Sequence, residues 1–139
     1  SGMTDAEKDK LEQLKKLKAG NERRRKLSLK YSELLTAHNL CIPFNHVKCD
    51  IQAVCHIFPV ILPEISDRNY IMEFMKAKGI QTSIHYPSFK SFTAYKELTR
   101  DLFSPVADAL CARELTLPLY PRMSFDDVEY VANSLLEAL

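Results

Sequence analysis

Apolar positions recur at helical spacing towards both ends of the chain and alternate at strand spacing between them. Leu27, Tyr31, Leu34 and Leu35 fall at i, i+4, i+7 and i+8 and make one apolar face. This predicts a helix over residues 5–39, with room for a break at Gly20-Asn21, because Gly costs about 1 kcal/mol against Ala inside a helix. The first part carries only Leu11, Leu14 and Leu17 among Glu, Asp and Lys. So thin a stripe buries little, and such a helix projects into solvent or leans on a partner.

After a loop with Pro43, Ala53 to Leu62 is β-branched and apolar on both faces, which reads as a strand. Pro59 cannot donate to a ladder and puts that end of the strand at an edge or bulge. Ser66 then caps a helix with Asp67 in its first turn, buries Tyr70, Ile71, Phe74 and Met75, and stops at Gly79. Ile80, Thr82, Ile84 and Tyr86 alternate with Gln81, Ser83 and His85 as a second strand that Pro87 ends. Ser91 to Leu98 reads as a short helical turn. Ser104-Pro105 opens a helix with Val106, Ala109 and Leu110 inward, and Thr116 to Tyr120 is a third short strand. Ser124 and Asp127 form a capping box for a last helix that buries Phe125, Val128, Val131 and Leu135. The expected fold is α+β: a small sheet of about three strands backed by helices, with a long N-terminal helix.

A chain of 139 residues is sized for one domain with a real core. Its net charge of +1 gives no global field towards nucleic acid or an anionic membrane. No apolar run approaches bilayer length and no charged-then-apolar leader is visible, so the expected location is the cytoplasm. Ser1-Gly2 before Met3 reads as the remnant of a cleaved tag. Cys41, Cys49, Cys55 and Cys111 have no CxxC pair and read as reduced thiols filling core space.

Two clusters invite chemistry. His38, Cys41, His46, Cys49, Cys55 and His56 contain ligand-like His-x2-Cys spacings. Against zinc, His38 ends a helix, and Cys55 and His56 are neighbours in a predicted strand, where adjacent side chains point to opposite faces. Arg23-Arg24-Arg25-Lys26 is flanked by acids and lacks interleaved aromatics, so it reads as a solvated helix face rather than a nucleic-acid contact. Met72, Met75 and Met123 read as packing.

Five segments, in order, resemble the C-terminal small domain of the DegT–DnrJ–StrS sugar aminotransferases. They are Gln13-Leu14-Lys15-Lys16-Leu17, Arg23 to Tyr31, His56-Ile57-Phe58, Gly79 to Tyr95, and Ser104 to Ser124. The resemblance spans Met3 to Leu139 and implies the small domain of an aspartate-aminotransferase-like, fold type I enzyme. In that family an amino group passes, usually from glutamate, to a keto group on a nucleotide-linked sugar. A lysine of the large domain holds pyridoxal phosphate (PLP), and the small domain closes one wall of the cleft.

The resemblance makes His85, Tyr86 and Lys90 substrate-facing positions, with Lys90 standing where many members carry histidine. It assigns residues 3–22 to a charged N-terminal helix and 23–139 to the small domain. Where members dock the first helix through small and apolar residues, this chain has Ala6-Glu7-Lys8-Asp9-Lys10, which implies a solvated helix. With three glycines and no Gly-rich phosphate loop, no PLP is expected on this chain alone, and no turnover. The implied partner is a large PLP-binding domain or a homo-oligomer. The alternative is a non-catalytic interaction module that keeps only the fold.

Overall fold

A computed structural model describes residues 2–38, 40–45 and 53–139. In order these form α1 (Asp5–Thr36), β1 (Phe58–Ile61), α2 (Arg68–Ala77), α3 (Pro105–Arg113), β2 (Glu114–Leu117) and α4 (Phe125–Ala138). Two 3-10 turns, Phe89–Ser91 and Thr93–Tyr95, occupy the stretch read as a helical turn from Ser91.

α1 is one helix of 32 residues, uninterrupted at Gly20. It begins with a capping box that the sequence reading passed over: Thr4 Oγ1 accepts from the Glu7 N–H, and Glu7 accepts from the Thr4 N–H at 2.7 Å. Residues 5–19 are exposed throughout, and burial begins only with Leu27, Ser28, Tyr31 and Leu35. The amphipathic half is thus packed and the charged half projects.

β1 and β2 pair antiparallel, Phe58 opposite Leu117 and Ile61 opposite Glu114. The sheet has two strands where about three were expected. The stretch 80–86 contributes a single bridge, in which Ser83 and Thr116 exchange backbone bonds of 3.1 and 2.8 Å. Neighbouring chemistry stops this ladder on both sides. Continuing it one way needs an N–H from Pro118, which has none. Continuing it the other way needs the His85 N–H, which instead donates to the Glu114 side chain at 2.8 Å. The strand expected over 53–62 is confined to 58–61, so Cys55 and His56 precede it rather than lying in it. Pro59 sits opposite Thr116, whose own backbone bonds go to Ser83, so β2 asks no N–H of it.

α4 lies between α1 and α2 over the sheet and buries Val128, Val131, Ala132, Leu135 and Ala138. Its Ser124–Asp127 capping box forms as expected, with bonds of 2.8 and 3.0 Å. Lys30 pairs with Glu129 at 2.7 Å across α1 and α4, while the Arg23 guanidinium lies 4.6 Å from the Phe125 ring centre. That cation covers Phe125, which stays partly exposed rather than entering the core.

Several local expectations are corrected. Asp67, not Ser66, caps α2, accepting from the N–H groups of Asn69 and Tyr70. Tyr70 is exposed, its ring tilted against Phe74, while Ile71 and Met75 are the buried residues of α2 and Met72 and Phe74 pack partly against the core. Gly79 does supply the left-handed stop, at φ +76°. β2 starts at Glu114, two residues before the predicted strand. The described cysteines are not core fillers: Cys41 is exposed, and Cys55 and Cys111 are half-buried free thiols.

The largest departure is α3. None of its residues is buried; Val106 is 72% exposed, and Ala109 and Leu110 also face outward. Helical spacing marked a face that wants cover, and no element among the described residues provides it. Among those residues no helix is long and apolar enough to cross a membrane.

Candidate functional site

The segment from Ser83 to Lys90 leaves the sheet edge and returns over the start of α3, held by two polar clusters. The first is built on β2. Its first residue, Glu114, is buried and sends its carboxylate towards the Ser83 strand edge. Glu114 Oε2 accepts from the His85 backbone N–H at 2.8 Å, and Oε1 accepts from the Thr116 hydroxyl. Thr116 Oγ1 in turn stands 3.0 Å from His85 Nδ1, and the exposed Ser83 hydroxyl is 3.4 Å from the same nitrogen. A cis peptide joins His85 to Tyr86, and the two rings meet edge to face, 4.9 Å apart. His85 is half-buried and Tyr86 exposed.

The second cluster centres on Asp108, in the first turn of α3. Its carboxylate accepts from Lys90 Nζ at 2.7 Å, from Ser88 Oγ at 2.9 Å and from Ser104 Oγ at 3.2 Å. The Lys90 ammonium, and then the Ser88 hydroxyl, hold its carboxyl below the usual carboxylate range against the opposing effect of burial. Ser104 thus donates its hydroxyl to a side chain, and no backbone N–H of α3 donates to its oxygen. At the other end of α3, Arg68 donates to the carbonyls of Cys111 and Glu114, a cation placed where helix carbonyls are free.

Of the three residues expected to face a substrate, His85 and Tyr86 are therefore together and Lys90 belongs to the neighbouring cluster. The reading missed Glu114, Thr116, Ser88 and Asp108. Glu114 carried a signal, a lone acid opening a Leu-Thr-Leu strand, but its partner His85 could be found only from pairing. A test of the second cluster is the substitution Lys90→Met. The Asp108 carboxyl, followed by carbon-detected NMR titration, is expected to move up towards its ordinary value. In the unsubstituted chain the depressed pKa gives stability that is present above about pH 3.9 and lost as pH falls through the folded value.

Large apolar side chains near both clusters in the chain are exposed: Tyr86, Phe89, Phe92 and Tyr95 before α3, and Phe103 and Val106 at its start, with Phe103 88% exposed. The Asp108 bonds tie these two stretches together. Among the described residues no three His, Cys, Asp or Glu side chains come together as a metal site. His46 and Cys49 lie outside those residues.

The described residues thus build a two-stranded sheet on three packed helices, with two polar clusters at one edge. The chain belongs to the DegT/DnrJ/EryC1/StrS aminotransferase family, whose profile matches residues 10–136. It is similar to Helicobacter pylori PseC, an aminotransferase involved in the biosynthesis of pseudoaminic acid, at 20% identity and a TM-score of 0.82. That match covers 92% of this chain and 35% of PseC. The putative sugar aminotransferase Spr1654 of Streptococcus pneumoniae, in its apo form, matches at 25% identity and a TM-score of 0.83, over 92% of this chain and 33% of that one. DesV of S. venezuelae matches at 26% and 0.77, over 89% and 33%. The chain spans about a third of the length of these proteins.

Spr1654 is known in PLP and PMP forms. Neither Gly20, nor Gly79, nor the cavity beside Gly79 fits such a cofactor. Gly20 lies within α1 and Gly79 ends a helix, so neither belongs to a phosphate-cradling loop. The cavity between residues 79–83 and α4, lined by Gln81, Thr82, Tyr120, Asp127 and Tyr130, has no lysine or arginine in its wall. Its carboxylate, Asp127, is engaged in capping α4.

Proposed function

We propose that this chain is the small-domain part of a PLP-dependent sugar aminotransferase, acting on a keto nucleotide-sugar. The turn from His85 to Tyr95 lines the substrate cleft. PLP, held on the large domain, supplies the electron sink for amino transfer. The residues of this chain bind, orient and exclude water. His85 and Tyr86 offer a polar ring edge and a phenol to a sugar. Lys90 has one of its three N–H donors on Asp108 and keeps the others for substrate or solvent. Residues 3–22, which include the charged, projecting half of α1, stand outside the domain proper, residues 23–139. Without the large domain the chain does not turn over.

The observation that supports this reading is the run of exposed apolar side chains within the turn, Tyr86 to Tyr95, and after it, Phe103 and Val106. Large apolar side chains left in water along both stretches suit an interface with a further domain. A bystander fold with no partner would have no use for Phe103 and Val106 in water.

The test is cofactor retention and turnover. Incubated with PLP and gel-filtered, the chain is expected to keep no stoichiometric cofactor and to consume no glutamate in the presence of a keto nucleotide-sugar. Joined behind a family large domain, the same residues are expected to support both. Stoichiometric PLP and amino transfer by the chain alone would overturn the proposal.

A further inference from the structure

Glu114, Thr116 and His85 form a chain of hydrogen bonds whose direction follows from which groups can donate. Glu114 is only 6% exposed, and its two oxygens meet two different donors, the His85 backbone N–H and the Thr116 hydroxyl. A carboxylate only accepts, so the single Thr116 proton is committed to Glu114. The Thr116 oxygen then has only lone pairs to turn towards His85 Nδ1, 3.0 Å away. Nδ1 must therefore carry the hydrogen. Ser83 does not oppose this, since its hydroxyl is farther away, exposed and free to rotate as an acceptor. The neutral ring then has its lone pair on Nε2. That nitrogen has no protein hydrogen-bond partner among the described residues, on a half-exposed ring beside Tyr86.

We propose that Glu114, acting through Thr116, locks His85 in the Nδ1–H tautomer and so presents Nε2 as a hydrogen-bond acceptor for a hydroxyl-bearing ligand such as a sugar. Glu114 and Thr116 are positioning residues; His85 is the group that meets the ligand. A histidine whose second nitrogen is so fixed has one defined role instead of two interchangeable ones. The ligand class rests on the functional reading above, while the tautomer rests on this geometry alone.

Glu114→Gln gives a sharp test, because an amide keeps the shape but divides it into one acceptor and one donor. The His85 backbone N–H claims the amide oxygen. The amide NH2 must then donate to Thr116 Oγ1, which frees the Thr116 hydroxyl to donate to Nδ1. The tautomer is expected to invert to Nε2–H.

The measurement is long-range proton–nitrogen NMR of the His85 ring in the full chain, above the ordinary imidazole pKa of about 6.5. The unsubstituted chain, Thr116→Ser and Ser83→Ala are expected to show Nδ1–H, and Glu114→Gln to show Nε2–H. Backbone amide spectra check that each variant is folded. Should the glutamine variant fail to fold, Thr116→Val removes the acceptor instead and is expected to lower the Nδ1–H population. An Nε2–H ring in the unsubstituted chain would overturn the proposal, as would a folded Glu114→Gln, or in its place Thr116→Val, with the original tautomer intact. No cofactor or substrate enters the measurement, so its failure and that of the aminotransferase reading are separable.

Discussion

Replacing Tyr31 by alanine is expected to lower the unfolding free energy by about 3–5 kcal/mol, the range for truncating a large buried ring. Tyr31 is fully buried in α1, stacks on Phe58 of β1 at 4.7 Å, and donates from its hydroxyl to the Pro118 carbonyl at 2.9 Å. It therefore joins the long helix to the sheet and to the segment that leaves it. Tyr31→Phe separates the two contributions: packing stays, Pro118 loses its donor, and the expected loss is about 1–3 kcal/mol. Urea denaturation of both variants is the check, and losses below about 1 kcal/mol for the alanine variant would mean that the site refills.

The same residue sets a pH dependence. Burial, with smaller contributions from Tyr120 and Asp127, pushes its phenol well above the ordinary value. The unfolded chain therefore loses this proton first, at about pH 10, while the folded chain keeps it. The contribution is fully present below that pH and falls as pH rises towards the folded value. Tyr31→Phe is expected to remove this part of the alkaline loss.

The second large effect concerns the uncovered face. Phe103→Asp with Val106→Asp is expected to leave the stability of the isolated chain within about 0.5 kcal/mol, since neither side chain is buried. Pairing with a family large domain is expected to weaken about 100-fold or more, if each residue contributes about 1.4 kcal/mol to that contact. Fluorescence of a hydrophobic dye on the free chain is expected to drop several-fold. Unchanged pairing would place the interface elsewhere; a large loss of stability would mean that these residues are internal after all.

Helical and strand periodicity made much of the interior legible. Leu27, Tyr31 and Leu35, Ile71 and Met75, and Val128, Val131 and Leu135 all enter one core because each repeats on a single helix face. The capping box at Ser124 was legible for a similar reason, since its chemistry lies within four consecutive residues.

What failed depends on contacts distant in sequence. Val106, Ala109 and Leu110 have the spacing of a buried face, but spacing does not say whether the covering surface lies in the same chain. Ile80 to Tyr86 has strand alternation, yet Pro118 and the Glu114 carboxylate cut its pairing to one bridge. At the site, family likeness pointed to His85, Tyr86 and Lys90. The groups that hold them, Thr116 and Glu114 for His85 and Asp108 for Lys90, lie 18 to 31 residues away and became visible only when folding brought the segments together.

The unbroken course of α1 carries a mechanical consequence. An α-helix advances about 1.5 Å per residue, so exposed residues 5–19 make a strut about 22 Å long whose base is clamped by Leu27, Tyr31 and Leu35. With no hinge at Gly20, its bearing is set by the packed half. Whatever rests against its far end is thereby oriented relative to the packed core.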